Sequence, residues 1–311
     1  MPHSHHSHSG QFCKHASGRL EEVVLEAIHQ GFEVYGLTEH APRYRLDDLY
    51  PEEEGMDSGA LMKQYEDFLD EAHRLKALYA SQITLLVGLE TEYISDVDLD
   101  GLSTLLEKFG KRVEYVVGSI HHVRTVPIDF DIATFDKALD LFGSENSATD
   151  RHELLFSDYF DAQYTLLQRF KPEIIGHFDL CRMFTPQLLL SDYSLVWSKV
   201  IRNIRYAVSY GALFEVNAAA FRKKWETAYP GEEVLKAILG EGGRFALSDD
   251  SHGPHAVGLN YGRTADYLKS AGVFELWYLQ RSKAANRGDR LVEPKKLEGD
   301  WREHSFWKGK A

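Results

Sequence analysis

Five apolar runs in this 311-residue chain end in residues that can bind a metal or move a proton. Thr38-Glu39-His40 follows VYGL, Glu90 follows ITLLVGL, His121 and His122 follow YVVGSI, His177 and Asp179 follow EIIG, and Asp249, Asp250 and His252 follow RFALS. One histidine after a strand reads as a structural or surface residue. Recurrence at successive strand ends changes that reading, because gathered imidazoles and carboxylates repel or are desolvated without a cation between them. Imidazole with carboxylate is the ligand chemistry of Zn²⁺, Mn²⁺ and Fe²⁺. Near the N-terminus, His6 and His8 alternate as they would on one side of a strand, so both rings can reach one ion. Taken alone, that pair reads equally as a histidine-rich tail that binds metal adventitiously. His15 can join them if this segment forms the first strand or caps the same face.

The elements that must position these residues alternate. Helical spacing marks Arg19–Gln30, Leu61–Ala80, Leu102–Phe109, Leu195–Ser209 and Glu233–Leu239, and a mostly helical stretch, Phe135–Phe170, with a polar interruption near Gly143–Asp150. Between them lie strand-like runs at Val34–Leu37, Ile83–Leu89, Tyr115–Val117, Glu173–Ile175, Leu213–Val216 and Arg244–Leu247. With a first strand near the N-terminus this gives about seven β/α units, hence a parallel α/β sheet covered by helices. That many units favour a closed barrel, with a doubly wound sheet as the alternative. In either, the C-terminal ends of parallel strands converge on one face. Residues 1–285 are expected to form a single barrel and 286–311 a polar C-terminal tail of unassigned role.

Bulk properties narrow the function classes. Hydrophobic content of 43% and charged content of 27% are those of a globular chain with a sizeable core. A net charge of −13 disfavours nucleic-acid partners but permits a small anionic substrate where cations reverse the sign locally. Two cysteines, Cys13 and Cys181, exclude a disulfide scaffold and point to a reducing cytoplasm. No signal peptide or membrane span is read, so no membrane partner is expected. The oligomeric state is left open.

The motifs HSHSGQFCKH, LTEHAP, VGLETEY, VGSIHH, IGHFDL and ALSDDSH resemble, in order and spacing, those of the polymerase-and-histidinol-phosphatase (PHP) superfamily. Phe12–His15 and EVNAAAFRK resemble its histidinol-phosphatase branch, and the resemblance runs from about His6 to Gly262. It implies a distorted seven-stranded (β/α)7 TIM-like barrel holding three divalent ions, zinc, manganese or iron. Carried over by motif, His6, His8, Glu90 and Asp250 take one ion. Glu90 bridges to a second, shared with His121 and His177. The third falls to His15, His40 and His252. The choice of His121 over His122 rests on motif position.

The implied activity is hydrolysis of L-histidinol phosphate in histidine biosynthesis, with Glu90, Asp250 and His252 at the centre of catalysis. Clustered divalent ions lower the pKa of water, offset phosphoryl charge and orient the ester, so no Ser or Cys nucleophile is needed. Neither G-x-S-x-G nor a P-loop occurs, and Cys13 is read as structural or substrate-lining. Arg182 and Arg222 are the expected phosphate clamps, since a guanidinium fork matches phosphate oxygens. Asp179 is expected to orient a ligand histidine. Glu92 and Asp129 are candidates for the substrate's amine or imidazole, with Glu92 beyond the ligand position. The alternatives are another phosphoesterase of the superfamily, acting on a nucleotide or other small ester, and a non-catalytic metal-binding protein.

Overall fold

The computed structural model describes residues 2–143 and 145–308; residues 309–311 of the C-terminal tail lie outside the described residues. Seven strands form one parallel sheet in sequence order: β1 (His3–Ser4), β2 (Val34–His40), β3 (Thr84–Glu90), β4 (Tyr115–Gly118), β5 (Ile174–Ile175), β6 (Leu213–Asn217) and β7 (Arg244–Ser248). The N-terminal segment completes the curl. His3–Ser4 pairs with β2, and a few residues on Ser7–His8 pairs in parallel with Ser251–His252, which follows β7. The result is a nearly closed seven-stranded α/β barrel, and not a doubly wound sheet.

Among the described residues there are eight α-helices: α1 (Leu20–His29), α2 (Ser58–Leu78), α3 (Asp96–Phe109), α4 (Ile132–Asp140), α5 (Ala148–Phe170), α6 (Ser194–Tyr210), α7 (Glu232–Gly240) and α8 (Tyr261–Ser270). Their starts carry the expected chemistry. Asp57 accepts from Ala60 N–H ahead of α2, and Ser147 caps α5. The period-2 alternation of each strand then separates two cores. Leu85, Val87 and Leu89 face the helical layer, whereas Leu86 joins Val34, Tyr115, Val117, Ile174 and Leu213 inside the barrel.

Tyr115 fills the barrel beneath the ligand-bearing ends, and its hydroxyl donates to the carbonyl of His5 at 2.8 Å. Gly36 and Gly88 leave room for it. A Cβ on Gly36 would stand 2.0 Å from the Tyr115 hydroxyl, and one on Gly88 2.8 Å from its ring. Gly36→Ala should therefore lower stability by about 1–3 kcal/mol, as overpacking does; an unfolding midpoint in urea equal to that of the parent would refute this packing account.

The C-terminal residues build a hairpin that composition did not announce. Strand β8 (Trp277–Arg281) pairs antiparallel with β9 (Val292–Lys296). Tyr278, Leu279 and Val292 enter the barrel core. The Leu279 N–H donates to His5 Nε2 at 3.0 Å, and buried Arg290 pairs with Glu173 at the start of β5. Trp301 and Phe306 bury against the helical layer. Residues 286–308 thus pack on the barrel, and the hairpin closes the end opposite the candidate ligands. Among the described residues no helix is long and apolar enough to cross a membrane.

Candidate active site

Apart from His15, which a loop after Ser7–His8 carries, the ligand candidates stand at or just past the C-terminal ends of strands, where the sheet's curvature turns them toward one point. Glu90, the last residue of β3, is buried at the centre. Its Oε2 lies 3.1 Å from His6 Nε2, 3.3 Å from His8 Nε2 and 3.1 Å from His40 Nδ1. Its Oε1 lies 3.2 Å from His121 Nε2 and 3.0 Å from His177 Nε2. The two oxygens of one carboxylate thus serve two separate groups of imidazoles. Asp250 Oδ1 adds to the first group, 3.7 Å from both His6 and His8. Asp250 has φ 47°, a left-handed conformation that aspartate tolerates better than most residues. Beside them His15, His40 and His252 form a third group, with ring centroids 5.4 Å apart for His15 and His40 and 5.2 Å for His15 and His252.

Electrostatics favour cations here. Burial pulls His6 and His8 down, but the carboxylates outweigh it. Glu90, Asp250 and Glu215 raise His6 well above its ordinary value, and Glu39 and Glu90 raise His8 to about 9. His121 is likewise raised against burial by Glu92 and Glu90. Despite its burial, Glu90 is held well below the carboxylate range, chiefly by His6 and His121. In the third group burial dominates, aided by neighbouring imidazoles: His15 falls to about 3 and His252 well below its ordinary value. Those two rings are neutral, with lone pairs to give.

The donor set fits divalent metal ions. His40 Nε2 and Glu92 Oε2 are buried without a hydrogen-bond partner, and His40 Nδ1, His121 Nδ1 and Glu92 Oε1 meet at 2.9–3.5 Å without hydrogen-bond geometry, a costly state that a bound cation relieves. The carboxylate–imidazole chemistry is that of zinc, manganese or iron.

Several placements depart from the sequence expectations. Arg182 is buried but turned from the cavity. Its guanidinium donates to Asp179 Oδ2 at 2.5 Å, Glu233 Oε1 at 3.2 Å and the Leu188 carbonyl at 2.8 Å, and it packs on Trp225. With its fork so occupied, it is not brought to the phosphate-sized opening. Asp179 does not orient His177; it accepts from Arg182 and from Gly231 N–H. Glu92 lies within the cluster, 2.9 Å from His40 Nδ1 and 3.5 Å from His121 Nδ1, and does not line the cavity. Asp249 points to Ser4, Tyr35 and the Gly258 N–H. His122 sits in a short hairpin and His121 takes the place against Glu90. Arg222 does reach the cavity rim, donating to the carbonyls of Asp249 at 3.0 Å and Asp250 at 2.7 Å.

Two further carboxylates support the cluster: Glu215, which the sequence did not single out, and Glu39, which it placed at a strand end without a role. Glu215, in the middle of β6, accepts from His6 Nδ1 at 2.8 Å and from the His177 N–H at 2.7 Å, tying ligands of both groups. Glu39 accepts from Ser9 and stands 3.5 Å from His8 Nδ1. The signal for Glu215 was a charged residue in the apolar run LFEVN. Replacing it with Gln leaves one oxygen to accept but puts an amide where the His177 N–H must be received. Metal affinity should fall about 10–100-fold, and titration against a chromogenic chelator reads this; unchanged affinity would show that Glu215 does not position the ligands.

The cluster floors a cavity of about 390 Å³. Arg222, Lys223, Tyr50, Glu52, Asp129 and Phe130 also line it. Cys13 is buried nearby, and burial, then Glu39, push its thiol well above the ordinary value, so it is no ready nucleophile.

The PHP domain model matches residues 4–219. A probable histidinol-phosphatase of Schizosaccharomyces pombe is 46% identical over 289 residues, covering 92% of this chain and 92% of that protein. The histidinol-phosphatase of Saccharomyces cerevisiae is 30% identical over 328 residues, covering 95% and 96%. The crystal structure of histidinol phosphate phosphatase from Lactococcus lactis subsp. lactis, complexed with zinc, L-histidinol and phosphate, superposes with a TM-score of 0.60 at 19% identity, covering 89% of this chain and 95% of that one. A parallel barrel whose strand ends gather these ligands, matched over most of its length by such relatives, belongs to the PHP-domain family, in the branch of the histidinol-phosphatases.

Proposed function

We propose that this chain hydrolyses L-histidinol phosphate to L-histidinol and phosphate, at a site holding three divalent ions. The observation that carries the reading is Glu90, with imidazoles against both carboxylate oxygens at the floor of a cavity that Arg222 overlooks. The relatives' activity supports the substrate. His6, His8, Glu90 and Asp250 would hold the first ion, Glu90, His121 and His177 the second, and His15, His40 and His252 the third. When bound, such ions supply Lewis acidity toward water and phosphoryl oxygens.

The chain's own residues do the rest. Arg222 keeps N–H groups beyond the two carbonyls it already serves, and these can grip the phosphate. Asp129 and Glu52, in the cavity wall, attract the substrate's ammonium, while Tyr50 and Phe130 offer faces for its imidazole. Held between these ends, the ester presents phosphorus to water. The water oxygen bonds to phosphorus, the ester P–O bond breaks, and the leaving alkoxide takes a proton to become the alcohol of histidinol. The unpaired, buried cysteines suit a cytoplasmic enzyme.

Phosphate release from histidinol phosphate should exceed that from other small monoesters and nucleotides in a panel. Equal rates on all, or a preference for a nucleotide, would replace this substrate with another. Arg222→Ala should lower kcat/KM roughly thirty- to a thousand-fold, about 2–4 kcal/mol of transition-state binding. Because Arg222 also anchors the Asp250 carbonyl, the assay is run in excess zinc. Full rescue by zinc would mean that the arginine serves the metal site alone.

A further inference from the structure

We propose that Cys13 is a metal ligand: its thiolate joins His15, His40 and His252 in a four-donor Cys-His3 set that closes the third metal position around a thiophilic ion, zinc before manganese. This rests on the reading that the site holds divalent ions. It assigns a fourth donor to a position otherwise made of three histidines.

The geometry supplies the case. Donor atoms of these four residues all lie within 4.8 Å of one another. The Cys13 sulfur is 3.2 Å from His15 Nε2. Two donors on one tetrahedral zinc, with Zn–S about 2.3 Å and Zn–N about 2.0–2.1 Å, stand about 3.6 Å apart. The observed pair needs only a small opening to take an ion. His40 Nε2 is buried without a partner, so the cluster is short of a cation and not merely well packed.

The loop that carries Cys13 is built to hold this position. The N–H groups of Phe12 and Cys13 both donate to the Ser9 carbonyl, at 3.1 and 2.8 Å. The Ala16 N–H donates to the Cys13 carbonyl, and the Gly10 N–H to Ser17. A Cβ on Gly10 would stand 2.7 Å from the Ser17 backbone, so only glycine lets the loop close this tightly. Ser9 in turn donates twice to Glu39 at the end of β2. The turn therefore delivers Cys13 and His15 together to His40, on that same strand end.

The chemistry distinguishes this position from the rest of the cluster. Around Glu90 all donors are imidazole nitrogen or carboxylate oxygen, which accept manganese, iron or zinc. A sulfur donor selects the softer, thiophilic ion. On binding, the thiol proton leaves to solvent and the sulfur lone pair forms the metal bond, as a coordinating thiol is deprotonated outright. Four protein donors make the closed arrangement of a structural ion, which would leave Lewis acidity to the two positions around Glu90, and it would staple the N-terminal loop to β2 and to the segment after β7.

The test uses the full chain loaded with zinc, and separately with cobalt, with bound metal counted by elemental analysis. Zinc-edge X-ray absorption of the loaded parent should require a sulfur shell near 2.3 Å. Cobalt-loaded parent and Cys181→Ser should both show a near-ultraviolet thiolate-to-cobalt charge-transfer band, absent from Cys13→Ser, which should also hold one metal equivalent fewer. Cys181 is the only other cysteine, so the pair assigns the sulfur. Zinc retained with nitrogen and oxygen shells alone overturns the assignment of Cys13 and leaves the metal site intact. A band that survives Cys13→Ser also overturns it. A parent that retains no zinc overturns both this inference and the trinuclear reading. The absorption measurement on the parent stands even if Cys13→Ser fails to fold.

Discussion

Dialysis against a strong chelator should abolish phosphate release, and Zn²⁺, Mn²⁺ or Fe²⁺ should restore it in part. Lewis-acid stabilisation of a phosphoryl centre is worth several kcal/mol, so the loss should be roughly a thousand-fold or more. The protein's charges give the pH dependence of reloading. In the metal-free chain the Glu90-centred carboxylates raise His6 and His121 well above their ordinary value and His8 to about 9. Protons thus stand where cations would, and each must leave before its ring can ligate. Apparent metal affinity should rise with pH, including the range near 9 where His8 loses its proton. Reloading in weak buffer at pH 7.5 should release protons, measurable with an indicator dye. A preparation shown to be metal-free yet fully active would refute the metal-dependent reading.

The gathering of His40, His121, His177 and Asp250 around Glu90 was readable because it follows a positional rule. His40, Glu90, His121, His177 and Asp250 each come at or after the end of an apolar run, and a parallel barrel sends those ends to one face. Strand and helix positions were read for the same reason, since β2 to β7 are short apolar runs between amphipathic helices. What escaped depends on pairings between residues far apart in sequence. Arg182 lies just past IGHFDL and invites a phosphate role, yet Glu233, in α7, takes part of its guanidinium. Nothing local in either segment announces that pair. Glu215 was overlooked because it interrupts a strand and does not end one. The hairpin β8–β9 was hidden by its composition. Polar residues on its exposed side mask Tyr278, Leu279 and Val292, which enter the barrel. Helix α3 begins earlier than its apolar spacing indicated, at Asp96, because Asp98 accepts from the Ser95 N–H and hydroxyl to cap its first turn.

Glu90→Gln should be the most damaging single replacement of comparable size in the cluster. Five imidazoles approach its two oxygens at 3.0–3.3 Å: His6, His8 and His40 on one, His121 and His177 on the other. An amide keeps the volume but puts an NH2, which cannot ligate, in place of one oxygen, and it removes the charge. Whichever way the amide turns, one group of imidazoles loses its carboxylate. Metal content should fall, and turnover should fall by orders of magnitude, because affinity and alignment fail together. Glu90→Ala should do the same while leaving a void. Glu92→Gln provides the comparison. Its position 2.9 Å from His40 Nδ1 and 3.5 Å from His121 Nδ1 means that it too should lose metal affinity, contrary to what its place two residues past the strand end suggested. It touches two of Glu90's five rings, so its loss should be the smaller. Elemental analysis and steady-state kinetics on the three variants rank them. Glu90→Gln fully loaded and active, with Glu92→Gln empty, would move the bridge from the last residue of β3 to the carboxylate beyond it.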